Sequence, residues 1–399
     1  LLKLLNQISF YVRFYYVEII VFTLFAVDAY SFYLDSSQGL EERNRFSFFF
    51  RAAVELGGIL MIFFNKTYKK KHLYHIIILI ALPVMWLSIS WMINDSYSIN
   101  TYNAFQIIKE SNKYIFPIIL FWTFSLSSSK YQFKILEIIY ILAALVVIYA
   151  FVTDNSLFYT YGPRRFGYKP MIAAHNEISL FWIIGIVYFL KKIKDDFNIW
   201  NLVIISILLF ASILLGTKVI LLFFTCLTLW LLIDVVKLSF FLKGVIFVLS
   251  LFLLILFVTY TGVYDFFKEI YISDGLLTSL TSLRSDIFVE RVIPTVYSWE
   301  WYNFIIGGYY LKLPIAEMDL IDLFVFYGIC GSIVYFVLIF GTIFKFDLNN
   351  RLAWFFVGAY ILIGSLAGHF FTSGTNAAYI ALLCLFLQKG DKYYNLKKV

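Results

Sequence analysis

Residues 159–182 read YTYGPRRFGYKPMIAAHNEISLFW. Two adjacent arginines, a lysine and a histidine stand between apolar runs, so the meaning of the stretch depends on the solvent around it. The rest of the chain decides that solvent. Of 399 residues, 62% are hydrophobic and 14% charged, and the mean hydropathy is +0.84, whereas a soluble domain carries about 25% charged residues. Apolar runs long enough to cross about 30 Å of hydrocarbon recur from end to end. The sequence therefore reads as all-α, a polytopic transmembrane helical bundle in which residues 1–399 form a single integral membrane domain. In such a chain the formal charge of +7 is no nucleic-acid signal, because basic residues select the loops that stay in the cytoplasm. Cys226, Cys330 and Cys384 lie inside apolar runs and make no disulfide framework. The first run, from about Val17 to Leu34, lacks a small-residue cleavage site and reads as a retained span.

Spans are expected near 15–34, 46–64, 73–93, 114–128, 135–153, 177–190, 199–215, 219–236, 244–263, 319–344, 352–368 and 375–388, twelve in all. Each is near the length that a rise of about 1.5 Å per residue requires. With a cytoplasmic N-terminus, alternation places NKTYKKKH, SSKYQFK, KKIKDDFN, KLSFFLK, KFDLNNR and the tail KGDKYYNLKK inside. These segments are lysine-rich, as the positive-inside rule requires, and both termini are then cytoplasmic. The hydrophilic segments 94–113, 154–176 and 264–318 fall outside. The last is expected to be an extracytoplasmic loop with short helices of its own.

The nine arginines do not follow the lysines. Arg13 and Arg351 fall inside, but Arg43, Arg45, Arg51, Arg164, Arg165, Arg284 and Arg291 lie outside or within a span. A planar guanidinium grips phosphate oxygens with two hydrogen bonds and stays charged in a partly dry site, whereas lysine is a solvated point charge. The distribution points to a phosphate or pyrophosphate carried on a lipid; for Arg43 and Arg45 in LEERNR, headgroup contact explains the pattern equally well. Arg51, in FFFRAAVELGG, sits inside a span, where an unpaired charge costs at least about 2.5–3.5 kcal/mol. Glu55, one turn away, is its expected partner, and a structural ion pair competes with a role at the floor of a polar cavity.

Gly162, Pro163, Gly167 and Pro170 keep YGPRRFGYKP out of regular helix, so Arg164, Arg165 and Lys169 ride on a loop that dips toward the next span. Asn176 is the expected N-cap of that span, beside His175, and its positive dipole end faces outward. LLGTKVILL repeats the arrangement, with Thr217 and Lys218 opening another outward-starting helix. In SLRSDIFVERVIP, Arg284 and Arg291 are seven residues apart, about two turns or ~10.5 Å along one face of an α-helix, with Asp286 and Glu290 opposite. An interfacial amphipathic helix has the same pattern. The expected anion-binding set is Arg51, Arg164, Arg165, Lys218, Arg284 and Arg291.

The order RRFGYKP, GTK, LRSDIF…IIGGYY, AEMDLIDLFVFYGICGSIVYF and LAGHFFTSGTNAAYIALL, over residues 40–388, resembles the bacterial O-antigen and capsule repeat-unit polymerases (Wzy type). These are related to the O-antigen ligases, among the GT-C-like membrane glycosyltransferases that use lipid-linked donors. Ligases commonly carry an external histidine where this chain has EMDLID, which favours the polymerase. The resemblance implies a transferase working on the outer face of the bacterial cytoplasmic membrane without metal, cofactor or nucleotide sugar. It would pass an undecaprenyl-pyrophosphate-linked glycan to the sugar hydroxyl of another lipid-linked repeat unit. Its implied partners are the lipid-linked oligosaccharide, membrane lipid and a chain-length regulator protein.

Such chemistry develops negative charge on the leaving pyrophosphate, which fixed cations or a metal must meet. No external carboxylate cluster suited to a metal is legible: Glu41 with Glu42 is surface-like, and Asp195 with Asp196 is cytoplasmic. The acceptor hydroxyl needs a general base, for which the catalytic candidates are His369, Glu317 and Asp319, with His175 as a secondary candidate. Each has a plainer reading. Glu317, Asp319 and Asp322 open a span, where acids cap helices, and His369 lies in an outward turn among small residues. His72 and His75 belong to a basic cytoplasmic edge. The aromatics of SWEWYNF either stack on sugar rings or anchor the loop among headgroups. The alternatives are an O-antigen ligase and, in another class, a polytopic transporter or flippase of lipid-linked oligosaccharide. A two-halved transporter is disfavoured, because NKTYKKKH lacks the Gly, Asp and Arg pattern of the major facilitators and no long cytoplasmic loop divides the chain.

Overall fold

The structure, a computed structural model, describes residues 2–38, 43–65, 70–93, 101–126, 133–161, 165–172, 175–235, 239–281, 284–308 and 316–395. Among them all extended regular structure is helical, and the one isolated β-bridge joins Tyr159 to Tyr168. The helices are α1 Leu2–Gln38, α2 Arg43–Asn65, α3 Lys70–Ile93, α4 Thr101–Ser125, α5 Lys134–Thr153, α6 His175–Asp195, α7 Ile199–Ile213, α8 Lys218–Trp230 and α9 Phe240–Tyr260. Five short ones follow: α10 Val263–Asp274, α11 Leu276–Thr281, α12 Arg284–Ile287, α13 Ile293–Tyr297 and α14 Trp301–Ile306. The chain closes with α15 Asp319–Gly341, α16 Arg351–Ala367 and α17 Ala377–Asn395.

Each of the twelve apolar runs lies on a helix, α1 to α9 and α15 to α17. Among the described residues four stretches are long and apolar enough to cross a membrane: Tyr15–Leu34, Lys134–Thr153, Phe241–Tyr260 and Asp319–Gly341. Shorter apolar helices occupy Leu73–Met85, Ile199–Ile213, Arg351–Ala367 and Ala377–Gln388. Two helices begin well before their expected spans, α1 at Leu2 and α4 at Thr101, the latter inside a hydrophilic segment. Residues 101–113 hold neither Gly nor Pro, and Glu110 pairs with Lys113 at 2.7 Å along the helix, so nothing stops the helix at the end of the apolar run.

A helix that is apolar all round belongs at the centre of a bundle. Residues 178–189 of α6 and 377–387 of α17 are buried without a break, and 114–124 of α4 nearly so. α17 packs against both α4 and α6, and the remaining long helices surround this trio through the pairs α1/α2, α2/α4, α3/α15, α5/α7 and α8/α16. Small residues let backbones approach. Gly185 of α6 leaves room for the Tyr140 ring of α5, and Gly58 of α2 lies against Thr123 of α4. α9 stands at the rim against α8 and α10, with Phe241, Val248 and Phe252 turned outward.

α15 is not continuous. Gly328 has φ 63° and ψ −169°, a region that only glycine occupies readily. The end of α14 meets it there. Gly308 donates its N–H to the Val325 carbonyl at 3.0 Å, a Cβ on Gly328 would lie 2.5 Å from the Gly307 nitrogen, and one on Gly307 would lie 2.1 Å from the Phe326 oxygen. Segment 264–318 therefore carries the short helices expected of it, and its last one wedges backbone-to-backbone into the side of α15. The polar backbone at the break is thereby covered by protein. Gly328→Ala is expected to lower stability by about 2 kcal/mol or more, read as a fall in the thermal unfolding midpoint in detergent. Gly358→Ala, with no atom near its added Cβ, is expected to leave the midpoint unchanged or raise it.

Candidate functional site

The arginine loop is built by local hydrogen bonds. Asp154 ends α5 in the left-handed conformation, φ 48°, and its Oδ1 accepts from the Tyr168 hydroxyl at 2.6 Å and the Tyr159 hydroxyl at 2.8 Å. Those two bonds, Tyr168 first, hold its carboxyl below the usual range. The Thr160 N–H reaches the Gly167 carbonyl and the Lys169 N–H reaches that of Phe158, both at 2.8 Å. Gly167 then runs against the turn before α8: a Cβ there would meet the Leu215 oxygen at 2.5 Å, and one on Gly216 would meet the Phe166 oxygen at 2.4 Å. Only glycine permits this approach, at φ 152° and 67°.

The crossing delivers Arg165 to the start of α8. Its Nη2 donates to the Gly216 carbonyl at 2.7 Å, and its guanidinium lies over the rings of Tyr161 (3.9 Å) and Phe267 (4.7 Å). Burial lowers its pKa but leaves it charged. Thr217 caps α8, its Oγ1 accepting the Ile220 N–H at 3.4 Å. The next residue, Lys218, places its ammonium 3.4 Å from the Phe267 ring centre and donates to the Ser279 carbonyl. The charges of Arg165 and Arg284 both act on Lys218 and on Tyr161. Arg165 on the 165–172 loop and Lys218 on α8 thus share the Phe267 ring, and burial first, then the charges of Arg165 and of Arg284 on α12, pull the pKa of the Lys218 ammonium down to about 7. Phe267, on α10, was not legible as part of this group, since VYDFFKE reads as an ordinary amphipathic segment.

Arg284 links the cations to the candidate bases. Its Nη2 lies 3.1 Å from Glu317 Oε2, and the other carboxylate oxygen, Oε1, stands 4.0 Å from His369 Nε2. The Nε of Arg284 is buried with no acceptor among the described residues. Glu317 (φ 54°) and His369 (φ 63°) are, with Asp154, the described non-glycine residues at positive φ, a conformation that costs about 1–3 kcal/mol each and persists only where the surroundings impose it. Gly368 supplies the cause. A Cβ on it would lie 2.3 Å from the Glu317 oxygen, so two chain segments cross back to back there. Two carboxylates brace the crossing. Asp319, 2% exposed, accepts the N–H groups of Phe370 (2.7 Å) and Phe371 (3.0 Å) on Oδ2. Asp322 accepts those of Ala316 (2.7 Å) and Met318 (3.1 Å). Asp319 thus faces the backbone of the His369 turn, while Asp322 does the capping expected of this acidic group.

Other expected residues stand elsewhere. Arg164 and the side chains of His175, Arg43 and Arg45 lie outside the described residues. α6 starts at His175, so Asn176 is inside the first turn and is not its N-cap. Arg291 is exposed and does not share a face with Arg284. An i→i+5 turn at Phe288–Val292 winds less per residue than an α-helix and rotates Arg291 away from the shared face. Asp286 faces inward to accept from Thr278 Oγ1 at 2.7 Å. Arg51 does not pair with Glu55. Its Nη2 lies 2.7 Å from Asp28 Oδ1 and 2.9 Å from Thr375 Oγ1, while Glu55 accepts from Asn112 Nδ2 at 2.6 Å. Neighbouring helices supply closer partners than the next turn does. An acid inside an apolar run, as Asp28 is, is itself a sequence signal for such a partner. In SWEWYNF, Trp299 is buried against Phe304 and Phe324 and anchors the loop, while Trp301 is exposed.

Among the described residues no three His, Cys, Asp or Glu side chains gather as metal ligands would. What does gather is a group of three basic side chains, two of them over aromatic rings, joined through Arg284 to a strained carboxylate and imidazole. The cations suit an oligoanion such as a pyrophosphate, and the Glu317–His369 pair suits proton abstraction beside it. Comparisons of the chain with family models, with curated proteins and with solved structures find no match.

Proposed function

We propose that this chain is a metal-independent glycosyltransferase of the polysaccharide polymerase type. It joins an undecaprenyl-pyrophosphate-linked glycan to a sugar hydroxyl of another lipid-linked repeat unit. The observation that carries the proposal is the junction at Arg284, where the cation group of Arg165 and Lys218 meets Glu317 and His369. In this reading the twelve apolar helices are twelve spans of a GT-C-like bundle in the bacterial cytoplasmic membrane, both termini are cytoplasmic, and the site opens on the outer face.

The reaction needs two things at once. The acceptor hydroxyl oxygen bonds to the anomeric carbon of the donor as the bond from that carbon to the pyrophosphate oxygen breaks, and the electron pair leaves on the polyprenyl pyrophosphate. Arg165, Lys218 and Arg284 meet that developing charge with donors already in place. The hydroxyl proton passes to the Glu317–His369 pair. Asp319 acts one step back, by holding the turn that presents His369. Trp301, exposed at the edge of the loop, offers a face on which a sugar ring can stack. Arg51, engaged with Asp28 and Thr375, braces the far end of the same turn and is not assigned to the pyrophosphate. The transporter and flippase readings leave the Glu317–His369 juxtaposition without a task.

Deletion of the gene separates the classes by the size of surface glycans. A polymerase mutant retains single repeats, a ligase mutant transfers none to lipid A, and a flippase mutant accumulates lipid-linked units on the cytoplasmic side; either of the last two results removes the proposal. Within the site, an ammonium does not replace a two-oxygen guanidinium grip. Arg165→Lys and Arg284→Lys are therefore expected to reduce polymer to near single repeats at normal protein level, as are Glu317→Ala and His369→Ala, while Arg43→Lys keeps wild-type chain lengths on a gel. Orientation is read by thiol labelling in a cysteine-free background. Lys169→Cys and Tyr297→Cys are expected to react with an impermeant reagent added to intact cells, and Lys194→Cys and Leu348→Cys only after lysis.

A further inference from the structure

Arg284 belongs to both halves of the site, and that double membership has a consequence for when the base is assembled. Arg165 rests on the Gly216 carbonyl and Lys218 on that of Ser279, whereas Arg284 rests on a carboxylate, Glu317. The side chain of Glu317 is 43% exposed and that of His369 41%, so both have room to turn. Their separation of 4.0 Å is too long for a hydrogen bond, and the Arg284 contact holds the carboxylate on the other side. The exposed side of this pair is Glu317, which can exchange its partner for solvent, while the Arg284 side chain is 13% exposed and keeps a buried Nε with no acceptor among the described residues.

We propose that Glu317 is a built-in stand-in for the donor's pyrophosphate: when that group binds, Arg284 moves from Glu317 to the phosphate oxygens, and the released carboxylate turns to His369 to complete the base. The inference rests on the anion site described under the proposed function and adds to it an order of events. The base forms only with the donor in place, so a bound acceptor is not deprotonated, nor water activated, in an empty site.

The test is a double-mutant cycle on binding, with the full chain in nanodiscs and inorganic pyrophosphate as the calorimetric probe. Wild type, Glu317→Gln, Arg284→Gln and the double variant are compared, with Glu290→Gln, exposed on the same loop, as the control for general charge. Glu317→Asn is measured beside Glu317→Gln, because asparagine suits the left-handed backbone and guards against a variant that fails to fold. Removing Glu317 is expected to tighten pyrophosphate binding by about fivefold, the factor equivalent to a part-exposed ion pair, while abolishing polymer synthesis. The gain is expected to vanish in the Arg284→Gln background. An equal gain in that background or from Glu290→Gln means general charge and overturns the exchange. Weaker binding by Arg284→Gln with no gain from either Glu317 variant overturns the exchange alone and leaves the anion site standing. A wild-type protein that takes up no pyrophosphate removes both.

Discussion

The carboxylate of Asp319, buried at the start of α15, accepts two N–H groups from the turn that follows α16, and the geometry of the whole site hangs on that contact. In an apolar bundle no water replaces a lost partner, so an unsatisfied pair of backbone donors is expensive and the turn has little freedom to leave. With the turn fixed, Gly368 passes against Glu317, and Glu317 and His369 are both forced into left-handed backbone. Two side chains more than fifty positions apart are thereby presented to one another from rigid supports. Arg51, through Thr375, secures the other end of the same segment.

Electrostatics explains why cations collect on the adjoining side. Gathering three positive groups in a part-buried place raises their mutual repulsion, and neutral carbonyls and ring faces offset it only in part. Arg165 and Lys218 each make a contact of that kind, to the Gly216 and Ser279 carbonyls, and Arg284 meets the Glu317 carboxylate. The glycines at 167 and 216 bring Arg165 to α8 at a distance that no other residue would allow.

The broken helix α15 connects the frame to the site. Its first half carries Asp319 and Asp322, and its break at Gly328 receives the end of α14, so the loop that bears Arg284 is keyed into the bundle rather than hanging from it. The wedge depends on backbone contact at Gly307 and Gly328. A short helix with few apolar contacts of its own gains its stability from this docking.

How much of this the sequence could tell follows from the range of the forces involved. Apolar composition and run length are local quantities, and they sufficed for the helices that the described parts of the twelve apolar runs form. The preference of arginine over lysine for phosphate is also a property of single residues, and it singled out Arg165 and Arg284, with Lys218 read from its place at a helix start. Partners were another matter. Arg51 was assigned Glu55, one turn away, because only same-helix neighbours are visible in a sequence; a carboxylate on α1 lies closer once helices pack. Arg291 was placed beside Arg284 on the assumption of unbroken α-helical winding, and one i→i+5 turn rotates it away. The strain at Glu317 and His369, and the brace that sustains it, arise where segments distant in the chain cross. Sequence by itself determined the helices and the kinds of charge they carry, because those depend on short-range chemistry. Tertiary structure alone decided which charges meet, because that depends on how backbones pack where glycine lets them touch.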